Sequence, residues 1–321
     1  MVVEFDILEG WHEGISEISN EWKYLRKIPY VTIDTEKLPN IEDLKLDFST
    51  SSYRDDSLRI QLAELETLHN VLPRLEFLTI DHFYIGGPLP MHVKPHDRVR
   101  HLSISPEDGH MWDRYFSRKY TRLETLVFND ECYCSEDVKA GALTLARSCR
   151  HLKQFSAPAP SGNSSGLYKD VLEVLGQVGA PISCLVINKW DVLTYATIVQ
   201  GLCRTITKID YTMGERCIQE DMLKPLEACV RLEELMLLAN DQVFELDSIL
   251  DHCKNLKALK LSGRKICISE NQRTGEGYGL RKLHMFAQVI SDNVYPFVSH
   301  HCPHLSSIFD MEYEKRDVVG N

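Results

Sequence analysis

An apolar trio of the form L-x-x-L-x-L returns along the chain at intervals of about 25 residues. The clearest copies are Leu75/Leu78/Ile80, Val99/Leu102/Ile104, Leu123/Leu126/Phe128, Leu232/Leu235/Leu237 and Leu256/Leu259/Leu261. Weaker copies fill the gaps: Ile41/Leu44/Leu46, Leu152/Phe155/Ala157, Ile182/Leu185/Ile187, Ile206/Ile209/Tyr211, Leu280/Leu283/Met285 and a degraded last one at Leu305/Ile308. The last two members of each trio alternate with polar residues, so each trio predicts a short strand that turns every second side chain into a shared core. One strand cannot bury its apolar edge alone, whereas copies stacked side by side bury it in a continuous column. Between trios, over residues 58–72, 138–146, 171–178, 218–226 and 244–250, the apolar positions take helical spacing instead. Strand plus helix per unit predicts an α/β solenoid of horseshoe form. Parallel strands line the concave face and helices the convex one, because a helix is about twice as wide as the spacing between strands.

Just ahead of a trio, five copies carry the same residue: Cys149, Cys203, Cys229, Cys253 and Cys302. A small apolar side chain there ends the helix and tucks under the next strand, a common use of a free thiol. The phrase C-x-x-L-x-x-L-x-L, as in CVRLEELML and CKNLKALKL, resembles the cysteine-containing leucine-rich repeats of F-box proteins, a ribonuclease-inhibitor-like repeat class. The resemblance runs from about Ile41 to Ile308. It implies a leucine-rich-repeat solenoid that recognises substrates for a cullin-type ubiquitin ligase, with the ligase adaptor as a second partner. The F-box that such proteins carry ahead of the repeats is not visible in this chain. The alternative is a free-standing scaffold or inhibitor that holds a protein without recruiting a ligase.

Three regions follow from this pattern. Residues 1–40 are expected to cap the column, with a helical stripe at Trp11, Ile15, Ile18, Trp22 and Leu25 and an edge strand at Ile28/Val31/Ile33. Residues 41–311 form the solenoid and 312–321 a polar tail. The 36 basic and 47 acidic residues give a formal net charge of -11, which repels a phosphate backbone, so no nucleic-acid partner is expected. The first residues lack a secretory pattern and no apolar run is long enough for a bilayer, so the expectation is a monomer in cytoplasm or nucleus with no membrane partner.

Catalytic chemistry finds little foothold. No phosphate loop, nucleophile elbow or zinc-protease motif is present, so neither an enzyme nor a cofactor is expected. The glycines of TGEGYG, Gly275, Gly277 and Gly279, read as an irregular loop that replaces one helix. Cys132-x-Cys134 and the group His300, His301, Cys302, His304 lack four-ligand spacing for zinc. Asn163-Ser164-Ser165 reads as a loop between repeats.

What remains is a surface. Residues flanking the middle apolar of each trio point into the concave face, where eleven strands would make a groove of roughly 50 Å. Protein partners are held by a few aromatic, Met or Arg anchors on such a surface. The candidates are Phe77, His101, Lys208, Met236, Lys260, Lys282 and His284, with Trp190 and Phe286 at strand ends. From Cys253 to Met285, eight Lys and Arg face two acidic residues, Glu270 and Glu276, a local balance of 8 − 2 = +6. Lys260 and Lys282 fall on adjacent strands, which suggests that this end receives an acidic or phosphorylated segment of the partner.

Overall fold

Each repeat is built around one carbonyl that accepts two consecutive backbone N–H groups from the next repeat. The Glu76 carbonyl takes both Arg100 and His101, the Arg100 carbonyl takes Glu124 and Thr125, and the Glu124 carbonyl takes Lys153 and Gln154. The same step recurs from Ser183 to Thr207/Lys208, to Glu233/Glu234, to Lys257/Ala258, to Arg281/Lys282 and to Ser306/Ser307. Once this bond is made the register is fixed, and the apolar positions of neighbouring trios stand side by side.

The structure, a computed structural model, describes residues 2–6, 42–47, 59–81, 84–104, 112–129, 136–157, 165–189, 192–214, 219–269 and 277–312. It divides into two compact units, Met1–Pro181 and Ile182–Asn321. In the first, six parallel strands run in chain order: β1 (Val2–Asp6), β2 (Asp43–Asp47), β4 (Phe77–Asp81), β6 (His101–Ile104), β7 (Thr125–Phe128) and β8 (Gln154–Ala157). A second small sheet pairs β3 (Arg59–Gln61) with β5 (Tyr84–Gly86). The helices are α1 (Leu62–Val71), α2 (Trp112–Lys119), α3 (Glu136–Ser148) and α4 (Ser165–Gln177).

The second unit repeats the plan with β9 (Cys184–Asn188), β10 (Lys208–Thr212), β11 (Glu234–Leu238), β13 (Ala258–Cys267), β14 (Lys282–Ile290) and β15 (Ser307–Glu312), all parallel. A short β12 (Val243–Glu245) pairs with the far end of β13. The helices are α5 (Val192–Leu202), α6 (Gln219–Leu223), α7 (Leu246–His252) and α8 (Val294–His301), and Lys224–Ala228 forms a tighter turn that begins at Pro225. Strand alternating with helix in a parallel stack is the α/β leucine-rich-repeat solenoid that the trios predict. In all eleven trios the second member, and the third where there is one, sits on a strand.

Their middle residues form the core. Leu78, Leu102, Leu126 and Phe155 in the first unit, and Leu185, Ile209, Leu235, Leu259 and Leu283 in the second, are buried, while their strand neighbours other than buried Ser103 are half-buried or exposed on the other face. Four of the five cysteines end their helical segments and are buried as expected; Cys203 is half-buried instead, and there the Leu202 carbonyl accepts from Thr205 and Ile206. The backbone N–H of Cys253 donates to Ile249 and that of Cys302 to Val298, and the carbonyls of Cys149, Cys229, Cys253 and Cys302 each accept from the Leu three residues on. Burial pushes the Cys149 and Cys229 thiols up to about 12 and that of Cys302 to about 11, so these sulfurs stay protonated and unreactive.

Some elements differ from the sequence reading. The segment read as helical from Phe244 begins as β12, and the helix starts only at Leu246. Residues 58–72 likewise open with β3 before α1. The helical stripe of α2 is not picked out in the sequence, and α5 and α8 are marked there only by Cys203 and Cys302 at their ends. A further strand, β1, sets Val3 opposite Leu44 and Phe5 opposite Leu46 and so extends the stack ahead of the first trio. The expected cap stripe and its edge strand at Ile28/Val31/Ile33 lie outside the described residues, as does the tail from 313.

No helix occupies the described residues between β13 and β14, and Tyr278 takes the helix's place. Its ring is buried near Phe297 and His301, and its hydroxyl donates to Asp251 Oδ1 at 2.7 Å. Where β12 comes alongside β13 the backbones come close: a Cβ on Gly263 would stand 2.8 Å from the Phe244 ring and 2.9 Å from the Gln242 carbonyl oxygen.

Two stability tests follow. Leu259→Ala removes a buried side chain and should cost about 2 to 5 kcal/mol in urea denaturation. Lys257→Ala only breaks an exposed ion pair with Glu233, 2.6 Å long, and should cost less than about 1 kcal/mol. Equal losses would contradict the assignment of Leu259 to the core and of Lys257 to the exposed turn before β13. Gly263→Ala should destabilise by about 1 to 3 kcal/mol, since one of the clashing groups is backbone and cannot rotate away. An unchanged midpoint would refute the close approach.

Candidate functional site

The face of each sheet that carries the residues flanking the middle apolar is open, and it is arranged in rows by the strand register. In the second unit the first row runs Cys184, Lys208, Glu234, Ala258, Lys282, Ser307. The second runs Val186, Asp210, Met236, Lys260, His284, Phe309, and the third Asn188, Thr212, Leu238, Ser262, Phe286, Met311. In the first unit Asp43, Phe77, His101, Thr125 and Gln154 form the corresponding first row.

The β13–β15 end of the second unit is aromatic and cationic. The Phe309 ring lies 5.4 Å from that of Phe286 and 5.9 Å from that of His284. Lys260 Nζ sits over the Phe286 ring at 5.4 Å, a cation–π contact. Phe309 and Met311 remain 44% and 50% exposed, far more than ordinary strand residues of their size. Lys282 is exposed one strand away from Lys260 and stands opposite Ala258. Lys260 and Lys282 are therefore diagonal neighbours, with His284 directly across from Lys260.

Other candidates stand in different surroundings. Lys208 is held at 3.7 Å from Asp210 and 3.5 Å from Glu234. Partial burial works to lower its pKa, but the two carboxylates outweigh it and raise it. Its charge is thus already shared within the chain. Met236 is half-buried between Asp210 and Lys260 in the second row. Phe77 and His101 belong to the first unit, where their rings lie 5.6 Å apart and Phe77 is 44% exposed. Burial lowers the His101 pKa against the pull of Asp43. Trp190 lies outside the described residues.

Phe309 and Met311 were missed in the sequence because the last trio is degraded. The alternation Ile308, Phe309, Asp310, Met311 carries the signal: Asp310 turns to α8, where Tyr295 donates to it at 2.5 Å, and its two apolar neighbours turn to the open face.

Among the described residues no group of three or more His, Cys, Asp or Glu side chains is placed to hold a metal ion. His301 packs instead against Phe297 at 4.7 Å, and Cys302 ends α8. Cys132, Cys134, Asn163 and Gly275 lie outside the described residues.

A second polar cluster is buried in the first unit, between α1 and α2. Lys119 Nζ donates to both carboxylate oxygens of Glu66 at 2.9 Å. His69 Nδ1 is 2.5 Å from the Leu65 carbonyl and Nε2 is 2.6 Å from the Tyr120 hydroxyl. A carbonyl can only accept, so Nδ1 carries the proton and Nε2 accepts from tyrosine. That arrangement suits neutral imidazole. Burial, reinforced by the charges of Lys119 and His96, lowers the His69 pKa to about 3. Tyr115 and Tyr120, the remaining titratable neighbours, are pushed well above the ordinary tyrosine range by burial and Glu66.

No protein-family model and no curated protein matches the chain in sequence. Thirty-seven chains of solved structures match it. One, described as a TLR13–ssRNA13 complex, is 13% identical with a TM-score of 0.47 and covers 85% of this chain. The chain spans 42% of the length of that protein.

The His69 cluster makes stability depend on pH. Below about pH 6.5 the unfolded chain takes up a proton that folded His69 refuses until about pH 3. Across that window the folded state should lose about 1.4 kcal/mol per pH unit from this group. Urea midpoints at pH 7.5 and pH 5 should therefore differ, and His69→Gln should flatten the dependence while lowering stability at pH 7.5. A wild-type slope retained in that variant would assign the effect elsewhere.

Proposed function

We propose that the chain is a protein-capture module whose binding surface is the open face of the second unit's sheet. The observation that supports it most is the patch formed by exposed Phe309 and Met311 against half-buried Phe286, beside Lys260. Large apolar groups left in water on a rigid sheet are unfavourable by roughly 25 cal/mol per Å², and covering them is the usual source of affinity at an interface. Preformed aromatic anchors ringed by polar residues match the make-up of binding hot spots.

The module serves as the substrate-recognition part of a cullin-type ubiquitin ligase in cytoplasm or nucleus. The support for this part is the C-x-x-L-x-x-L-x-L phrase, four of whose five cysteines, Cys149, Cys229, Cys253 and Cys302, are buried at the ends of their helical segments. Within this reading no residue has a catalytic role.

The test uses three full-length proteins as bait: wild type, the open-face variant Phe286→Ser/Phe309→Ser, and the helix-side variant Leu193→Ser, whose side chain is exposed on α5. Proteins retained by wild type and Leu193→Ser but lost by the open-face variant are the expected result. Purified ligase adaptor should bind all three alike, because its site is not the open face. Capture that survives the open-face change would overturn the assigned surface, and no adaptor binding to any bait would overturn the ligase role.

A further inference from the structure

Charge and apolarity are separated along the open face of β13–β15. Lys282 begins β14 in the first row and Phe286 follows in the third, four residues on along the same strand. At 3.2–3.4 Å per residue, the two rows are about 13 Å apart. Met311 stands directly opposite Phe286, and Phe309 bridges the middle by touching both His284 and Phe286. Among the described residues no carboxylate occupies the first three open-face rows of these strands, which hold Ala258, Lys260, Ser262, Lys282, His284, Phe286, Ser307, Phe309 and Met311; Arg264 on β13 and Gln288 on β14 follow in the same alternation beyond them. The nearest acidic groups on that face are Glu234 on β11, opposite Ala258, and Asp210 on β10; both pair with Lys208, and Asp210 also feels the charge of Lys260. One end of the strip is thus positive and the other apolar, with Lys260 leaning over the Phe286 ring between them.

Resting on the protein-capture reading, we propose that this strip takes an extended acidic peptide in which an anionic side chain lies four residues from a large apolar one. A peptide lying along β14 in extended form rises at the same rate as the strand beneath it. Side chains at positions i and i+4 then share one face, and the anion meets Lys282 when the apolar group reaches Phe286, Phe309 and Met311. Spacings of one or three residues put the two groups on opposite faces, and a spacing of two brings the apolar group only to the middle row. The anion is a carboxylate or a phosphate, both of which an ammonium group binds by charge-assisted hydrogen bonds.

The experiment measures fluorescence anisotropy of labelled nine-residue peptides on the full chain. A Gly/Ser/Thr background carries one Glu and one Leu at separations of two, three, four or six, in both orders, and a phosphoserine replaces Glu in a parallel set. A separation of four should bind at least ten-fold more tightly than two or three. Lys282→Glu and Phe309→Ser should each weaken that peptide about ten-fold or more, whereas Lys254→Glu, the same charge change on the exposed turn after α7, should leave it unchanged. Circular dichroism will show that the variants, all at exposed positions, keep their fold. A stronger phosphoserine set identifies phosphate as the anion, and equal or weaker binding identifies carboxylate.

Absence of a spacing preference, an equal effect of Lys254→Glu, or tighter binding of a ten-nucleotide single strand than of any peptide would overturn the inference. If the baits above still show capture that depends on the open face, the protein-capture reading outlives that failure. If they do not, that reading falls with it.

Discussion

A single carbonyl per repeat, accepting two successive N–H groups from the next, is the constraint on which the rest of each unit depends. A parallel sheet has no hairpin turns to set its register, so something else must fix which residue stands beside which. Here it is the turn after each helix. The Cys or Leu that ends the helix holds a tight bend, the first trio residue closes it three positions on, and the next two N–H groups meet the same acceptor. A slip by one residue would break that paired bond and turn the whole apolar set to the wrong face. Register, core and open face are therefore one decision, taken again at every repeat.

Surface charge follows the same ladder without contributing much to it. Residues in the turn row stack one above another, and oppositely charged ones meet: Arg100 with Glu124 at 2.8 Å, Lys153 with Glu124 at 2.7 Å and Lys257 with Glu233 at 2.6 Å. Lys153 and Arg100 together hold the Glu124 carboxyl below its usual range. All of these groups are well exposed, so the pairs decorate a register set by backbone bonds.

The sequence made the stack legible because its two periods, two within a strand and about 25 between strands, are both set by burial. Leu78, Leu102 and Leu126 could hardly be anything but apolar at their positions. The helices were harder to see. In α2 the buried set is Trp112, Tyr115, Phe116 and Lys119, and a buried lysine hides the helical stripe from any reading based on hydrophobicity alone. Phe244 was drawn into a helix because its neighbours Leu246, Ile249 and Leu250 suit one, and only the close backbone approach at Gly263 shows that it belongs to a strand. The open face was legible as positions but not as partnerships. Lys208 and Lys260 look alike in the sequence, yet one is shared between two carboxylates and the other lies over an aromatic ring. Phe309 and Met311 were hidden because the trio that places them has lost its third leucine.

The contrast between the whole chain and this strip bears on what kind of anion can settle there. With a formal net charge of -11, the protein presents a repulsive field to any polyanion that extends past the strip by more than a Debye length, about 8 Å at physiological salt. A nucleic acid carries charge along its full length and meets that field on both sides. A short peptide with one or two negative groups meets mainly Lys260 and Lys282, and its apolar residue gains by covering Phe286, Phe309 and Met311. Electrostatics thus selects for a ligand with few charges, and the hydrophobic end selects for one that is amphipathic. On the proposed reading, a globally acidic protein with a locally cationic, aromatic face would discriminate against the strongest polyanions because its positive charge is small and confined.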